Sequence, residues 1–182
     1  MTGRDHRREL AIERMADHVL AAGLRKATLR AMAGAVGISD RMLLYYFKDK
    51  DEMLSATLDR IAFRMTAVLN EALPEGPRHS FSDLLRYSWD MLRSETLRPY
   101  MPVWLDLAAG AAHGIEPDRT IAGRIADGFL AWVTARLPPE PDSTPSAQAA
   151  HFLSLIEGAY LLEAIGRGPI AEAAIGWSDP AR

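Results

Sequence analysis

Cysteine is absent from all 182 residues. That excludes disulfides, iron–sulfur ligation by Cys and thiol catalysis, and it fits a reducing, cytoplasmic setting. No apolar run reaches the roughly 18 residues that a membrane-spanning helix needs, so no membrane partner is expected. The basic start, Arg4 with Arg7 and Arg8, has no apolar stretch behind it, so no secretory signal is expected either. Strand signals are sparse: there is little strict alternation and there are few clusters of Val, Ile and Thr. Neither a Gly-rich phosphate loop nor a Ser-His-Asp arrangement beside a strand turn is visible, and no carboxylate pair sits in an apolar setting. An enzyme built on such a chain has no positive support, and no catalytic residue or cofactor is assigned. Proline is missing from the first 73 residues; all eleven lie beyond Leu73.

What the chain does have is helical periodicity. With 48% hydrophobic and 25% charged residues it has the make-up of an ordinary soluble globular protein. A first helix spans about Arg4–Ala22, with Ile12, Met15, Ala16 and Val19 on one side, and Gly23 ends it. A long helix covers about Lys50–Leu73, with Met53, Leu54, Leu58, Ile61, Met65, Val68 and Leu69 at core spacing. Pro74-Glu75-Gly76-Pro77 then breaks the chain. Further helices are expected at about Ser80–Ser94, Tyr100–His113, Pro117–Leu137, Ser146–Gly166 and Pro169–Trp177. Leu137 to Pro145 reads as an extended proline-rich loop. The fold class is all-α, with an N-terminal domain over residues 1–50, a connecting helix over about 50–73, and a C-terminal helical domain over 74–182.

Between Thr28 and Lys50 the turn chemistry is specific. Thr28 caps a short helix whose apolar positions Leu29, Met32, Ala33 and Val36 share a face. Gly37 stands where the chain needs the left-handed conformation, Ile38 plugs the turn, and Ser39 caps a second short helix running to about Phe47. Two short helices joined by a tight glycine turn are the usual way of presenting a helix to a DNA major groove. Charge points the same way. Residues 1–50 carry ten Lys/Arg against six Asp/Glu, whereas the remainder carry eleven against eighteen. A polyanion is attracted to the first part and repelled by the second.

These residues resemble the DNA-binding domain of the tetracycline-repressor (TetR) family of bacterial transcription regulators. The likeness covers about residues 8–58: Gly23 closing helix one, Thr28 opening helix two, Ala33-x-x-x-Gly37-Ile38-Ser39 at the turn, then Leu43, Tyr46-Phe47, and Lys50 opening helix four. The resemblance implies that the Ser39–Phe47 helix enters the major groove of double-stranded DNA. Thr28, Lys48 and Lys50 would meet phosphates, Tyr46 the sugar–phosphate backbone, and Arg41 and Tyr45 base edges. Met42 could contact a thymine methyl. Tyr45 and Tyr46 are adjacent, so only one can face fully outwards; Val36, Leu43 and Phe47 are core. Asp40, Leu44 and Ala31 depart from the family pattern. Asp40 suits the first turn of a helix, but it and Leu44 keep open a second reading: an all-α small-molecule-binding or interaction protein whose head no longer engages DNA.

The remaining helices carry no diagnostic motif. Apolar residues run nearly all round Ser146–Gly166 (Phe152, Leu153, Leu155, Ile156, Ala159, Tyr160, Leu161, Leu162, Ile165), with Gly158 and Ala159 permitting close helix approach. Family resemblance implies that the last two helices form a homodimer. All four tryptophans lie beyond residue 73, and Trp89, Met101, Trp104 and Phe129 are the candidates to line a site for a small organic effector, with a plain aromatic core as the alternative. His113, Glu116 and Asp118 lack helical ligand spacing, so a solvated loop is expected and no metal is assigned. The reading is a homodimeric, ligand-responsive repressor acting on a palindromic operator.

Overall fold

The computed structural model describes residues 3–73, 76, 78–139 and 147–177, and among them there are nine α-helices and no strand. In chain order these are α1 (Gly3–Ala22), α2 (Leu29–Val36), α3 (Asp40–Tyr46), α4 (Lys50–Ala72), α5 (Phe81–Leu92), α6 (Tyr100–Ala112), α7 (Asp118–Thr134), α8 (Ala147–Ala164) and α9 (Gly168–Trp177). A short 3-10 turn, Leu24–Lys26, joins α1 to α2. The expected helices are therefore present, with ends displaced by a few residues at most. Pro74, Glu75 and Pro77 of the expected breaker, and residues 140–146 of the proline-rich loop, lie outside the described residues.

The chain divides into two compact units. The first comprises residues 1–68 and 98–125, so it takes α6 and the start of α7 as well as the N-terminal helices. Its core is built where helical periodicity places it: Ile12, Met15 and Val19 of α1, Met32 and Val36 of α2, Leu43 and Phe47 around the end of α3, and Met53, Leu58 and Ile61 of α4. Val103 and Leu107 of α6 and Ile121 of α7 join the same cluster. Two surface ion pairs lie across this unit, Arg25 to Asp106 and Arg124 to Asp59, each at 2.9 Å. The apolar core accounts for the cohesion of the unit, since such exposed pairs contribute little.

The second unit comprises residues 69–97 and 126–182. Leu84, Leu85 and Trp89 of α5, Trp132 and Val133 of α7, and Phe152 and Ile156 of α8 are buried in it. Arg136 is buried too, at 1% exposure. It is tolerated because its donors are used: Nε donates to the Leu73 carbonyl at 3.0 Å, Nη1 to the Trp132 carbonyl at 3.1 Å, and Nη2 to Asn70 Oδ1 at 2.7 Å. Its guanidinium also stacks 4.0 Å from the centre of the Trp132 ring. Arg136 thus ties the end of α4 to the end of α7, and a charge so placed is stable only while those acceptors stay in reach.

One backbone position is under tight conformational demand. Gly37 has φ 80°, in the left-handed region, where a side chain is strained. Gly37→Ala is expected to lower the unfolding free energy by about 1–2 kcal/mol, read as a shift in the urea midpoint followed by circular dichroism; an unchanged midpoint would show that the turn bears no such constraint.

Candidate nucleic-acid interface

The α2–α3 pair is held at both starts and at its turn. Thr28 Oγ1 accepts from the Ala31 N–H at 3.2 Å, and Ser39 Oγ accepts from the Met42 N–H at 3.2 Å, satisfying a first-turn donor of each helix. At the turn, the N–H groups of Gly37 and Ile38 both donate to the Ala33 carbonyl, at 2.9 and 3.0 Å. Arg14 of α1 donates to the neighbouring Val36 carbonyl at 2.8 Å, pinning the turn to α1. Burial of Leu43 and Phe47 then decides which way α3 faces. Ser39, Asp40, Arg41, Met42, Leu44, Tyr45 and Lys48 are all exposed, while Tyr46 is half-buried against the core. Of the two adjacent tyrosines, Tyr45 is the outward one, at 59% exposure.

The basic residues of this unit fall into two groups. Three on α1 and α4 are committed to carboxylates: Arg8 to Glu52 at 2.9 Å, Arg60 to Glu9 and Glu13, and Arg64 to Glu13 and to Asp17. These pairs lie along the α1–α4 contact, each spanning about 44 to 51 residues of sequence. By contrast, the side chains of Arg30, Arg41 and Lys48 make no ion pair among the described residues. Lys50 is exposed at the first position of α4, and its charge acts on the Asp118 carboxylate. Arg41 and Tyr45 are four residues apart, so they share one side of α3. Arg30, Arg41 and Lys48 thus lie on and around the exposed side of α2–α3, where a polyanion would approach.

The link from α3 to α4 is a reciprocal cap. Asp49 Oδ1 accepts from the Glu52 N–H at 2.8 Å, and Glu52 Oε2 accepts in return from the Lys48 N–H at 2.7 Å. Glu52 also receives Arg8, whose guanidinium lies 4.7 Å from the centre of the Phe47 ring. The Lys48 amide first, and Arg8 second, hold the Glu52 carboxyl below the ordinary carboxylate range. Because the folded value is the lower one, Glu52 stabilises the fold above its unfolded value. That contribution is lost as pH falls through the folded value. Glu52→Gln is expected to be less stable than the wild type at neutral pH, and the gap should close on acidification below the ordinary carboxylate range. Denaturant midpoints measured down a pH series check this; a gap independent of pH would remove the charge from the account.

Other expected site residues lie apart from this face. Trp89 and Phe129 belong to the second unit, Met101 and Trp104 to α6 of the first. Phe129 stacks on Trp132 with ring centres 5.7 Å apart and approaches Phe152 at 6.4 Å. Trp89 is buried beneath Arg93, and its indole Nε1 has no hydrogen-bond partner, like the adjacent buried Ser88 Oγ. Asp118 departs from a solvated loop: it opens α7 and packs so closely on Gly110 that a β-carbon there would meet its carboxylate. Burial, with Glu116 adding to it, pushes its carboxyl above the ordinary range. No group of three or more metal-binding side chains is assembled among the described residues. Arg4, Arg14 and Glu52, all in contact with α3 or its flanking turns, were not legible as site residues. Only the Asp49-x-x-Glu52 helix-start spacing offered a signal.

No family model matches the chain. Its sequence is 26% identical over 174 residues to the HTH-type transcriptional regulator BetI of Burkholderia thailandensis, covering 91% of this chain and 86% of that protein. In three dimensions it matches a TetR-family transcriptional regulator from Cytophaga hutchinsonii with a TM-score of 0.75 and 18% identity, over 97% of this chain and 92% of that one. It also matches the multidrug binding protein EbrR, solved with imidazole, with a TM-score of 0.69 and 18% identity, over 100% of this chain and 95% of that one. Along nine-tenths of its length the chain is thus similar in sequence to helix-turn-helix transcriptional regulators, and it shares the fold of TetR-family regulators.

Proposed function

We propose that the chain is a one-component transcriptional regulator, a repressor that binds double-stranded DNA as a homodimer and is released by a small organic effector. The observation that carries this is the α2–α3 element: two capped helices locked at Gly37, with Arg41, Met42 and Tyr45 outward and the unpaired cations around them. In this reading Arg41, Met42 and Tyr45 read bases, Ser39 and Tyr46 lie against the backbone, and Thr28, Lys48 and Lys50 meet phosphates. Asp40 sits in the first turn of α3, where the helix dipole favours its charge, so it need not oppose DNA. The protein acts in the cytoplasm and carries out no catalysis; among the described residues no helix is long and apolar enough to cross a membrane.

One α3 buries too little surface for tight specific binding, so two copies are required on a palindrome. The exposed residues Ser154, Gly158 and Leu161 of α8, and Ile165 just past its end, recur at spacings of four, three and four. Leu161 and Ile165 are 53% and 61% exposed, and Ile170 of α9 is 55% exposed. A second copy packing here by two-fold symmetry would bury them. Ala159 instead faces the chain's own core, leaving Gly158 as the small residue available for close approach.

Trp89 and Phe129 are proposed effector contacts within the second unit; Met101 and Trp104 belong to the first unit and are proposed only as a separate apolar contact there. EbrR is by its name a multidrug binding protein, which suits an apolar, aromatic effector here. A buried unsatisfied donor costs about 1–3 kcal/mol, so an effector offering an acceptor to Ser88 Oγ or to Trp89 Nε1 would recover that cost for the group it reaches. An effector preferring one spacing of the two heads lowers DNA affinity when the operator demands another.

Binding to a duplex selected from a randomised pool should fall steeply with salt. Lys48→Ala and Lys50→Ala should each weaken selected and random duplexes alike and flatten the salt slope by about 0.9. Arg41→Ala should instead cost roughly 1–3 kcal/mol on the selected duplex alone. Salt-independent binding, or failure to select any duplex, would favour the small-molecule-binding or interaction reading. Leu161→Glu should yield a folded monomer in sedimentation velocity with lost operator affinity; a dimer of wild-type stability would move the interface elsewhere.

A further inference from the structure

The residue with a role beyond these is Arg4, on the first turn of α1, 41 residues before the Tyr45 it touches. As a seven-residue helix, α3 leaves its last carbonyls without intrahelical partners. Arg4 Nη2 donates to one of them, the Tyr45 carbonyl, at 3.0 Å. The same guanidinium lies 4.7 Å from the centre of the Tyr45 ring. The ring of Tyr46 meets that of Tyr45 nearly edge-on, with centres 5.6 Å apart and planes inclined at 70°. Arg4 and Tyr45 also share the walls of a cleft of about 460 Å³ between the first turns of α1 and the end of α3. An outward tyrosine without such contacts would sample several rotamers and lose that freedom on reaching a base.

We infer that Arg4 is a positioning residue for base reading, acting through Tyr45 rather than by touching the nucleic acid. The inference rests on the DNA-binding reading, and it differs from the simpler possibility that Arg4 is one more phosphate contact. Arg7 provides the control: it lies on the same helix, is exposed, and makes no ion pair among the described residues.

The test compares wild type, Arg4→Ala, Arg7→Ala, Tyr45→Ala and the Arg4→Ala/Tyr45→Ala double variant by fluorescence anisotropy. Each is titrated over a salt series with a selected duplex and with its scrambled counterpart. Arg4→Ala should weaken the selected duplex roughly 3- to 10-fold, the range expected of a cation–π contact. It should change the scrambled duplex by less than about twofold and leave the salt slope unaltered. The double variant should bind no worse than Tyr45→Ala, because the two residues act as one unit. Additive losses, a slope flattened by about 0.9, or an equal loss in Arg7→Ala would overturn the inference. A second readout needs no DNA. In the free protein, Arg4→Ala should shift the Tyr45 ring proton resonances and speed amide exchange in the last turn of α3, but not in α2. Unmoved Tyr45 resonances would overturn the clamp whatever the binding data. If the wild-type chain selects no duplex, the regulator reading fails and the base-reading role falls with it, while the spectra still decide whether the clamp exists.

Discussion

Everything on the exposed side of α3 depends on how the Gly37 turn is closed. Three donors converge there: the Gly37 and Ile38 amides on the Ala33 carbonyl, and the Arg14 guanidinium on the Val36 carbonyl. The first two set the angle between α2 and α3, because a left-handed residue at that point reverses the chain in a single step. The third fixes the turn against α1. With the angle set, Leu43 and Phe47 reach the core, and the opposite side of α3 is left free to meet a ligand as long and as charged as DNA. A hydrophobic core alone would not specify this direction, since apolar contacts are not directional.

The same unit shows how charge is allotted. Arginines on α1 and α4 are consumed by Glu9, Glu13, Asp17 and Glu52, which makes those two helices a braced pair and removes their charge from the surface field. Arg30, Arg41 and Lys48, on and beside α2–α3, remain without an ion pair among the described residues. Glu52 joins the two systems: it is the acceptor for Arg8 and for the Lys48 amide, so the α3–α4 link is tied to α1. The charge of Lys50, just beyond it, acts in turn on Asp118 at the start of α7, partly offsetting the effect of burial there. α6 and the start of α7 belong to the same unit as the N-terminal helices by packing though not by sequence order.

Much of the candidate site was readable before the structure. Thr28, Gly37, Ser39 and Lys50 announce helix ends through interactions within four residues, and those ends appear where turn chemistry places them. The inward Leu43 and Phe47 and the outward Arg41 follow from helical period alone. The tyrosine pair was legible only as an alternative, because adjacent residues differ by about 100° on a helix and both leave the core side. Arg4 and Arg14 were invisible, since a long polar side chain on an amphipathic helix carries no mark of the distant carbonyl it will reach. Asp118 was misplaced as solvated loop for a related reason: its burial comes from Gly110 on another helix.

Local chemistry in the sequence therefore determined the all-helical class, the helix limits, the caps and the inner and outer sides of each helix. These depend on hydrogen bonds and periodicities that close within a turn or two. Tertiary structure alone decided which cations are free and which are spent, that α6 and the start of α7 pack with the N-terminal helices, and that Arg4 clamps Tyr45. It also decided that Arg136 is buried against acceptors up to 66 residues away. Those outcomes depend on pairs of groups that only folding brings within a few ångströms, and a polar side chain has no preference among such partners until the apolar core has set the distances.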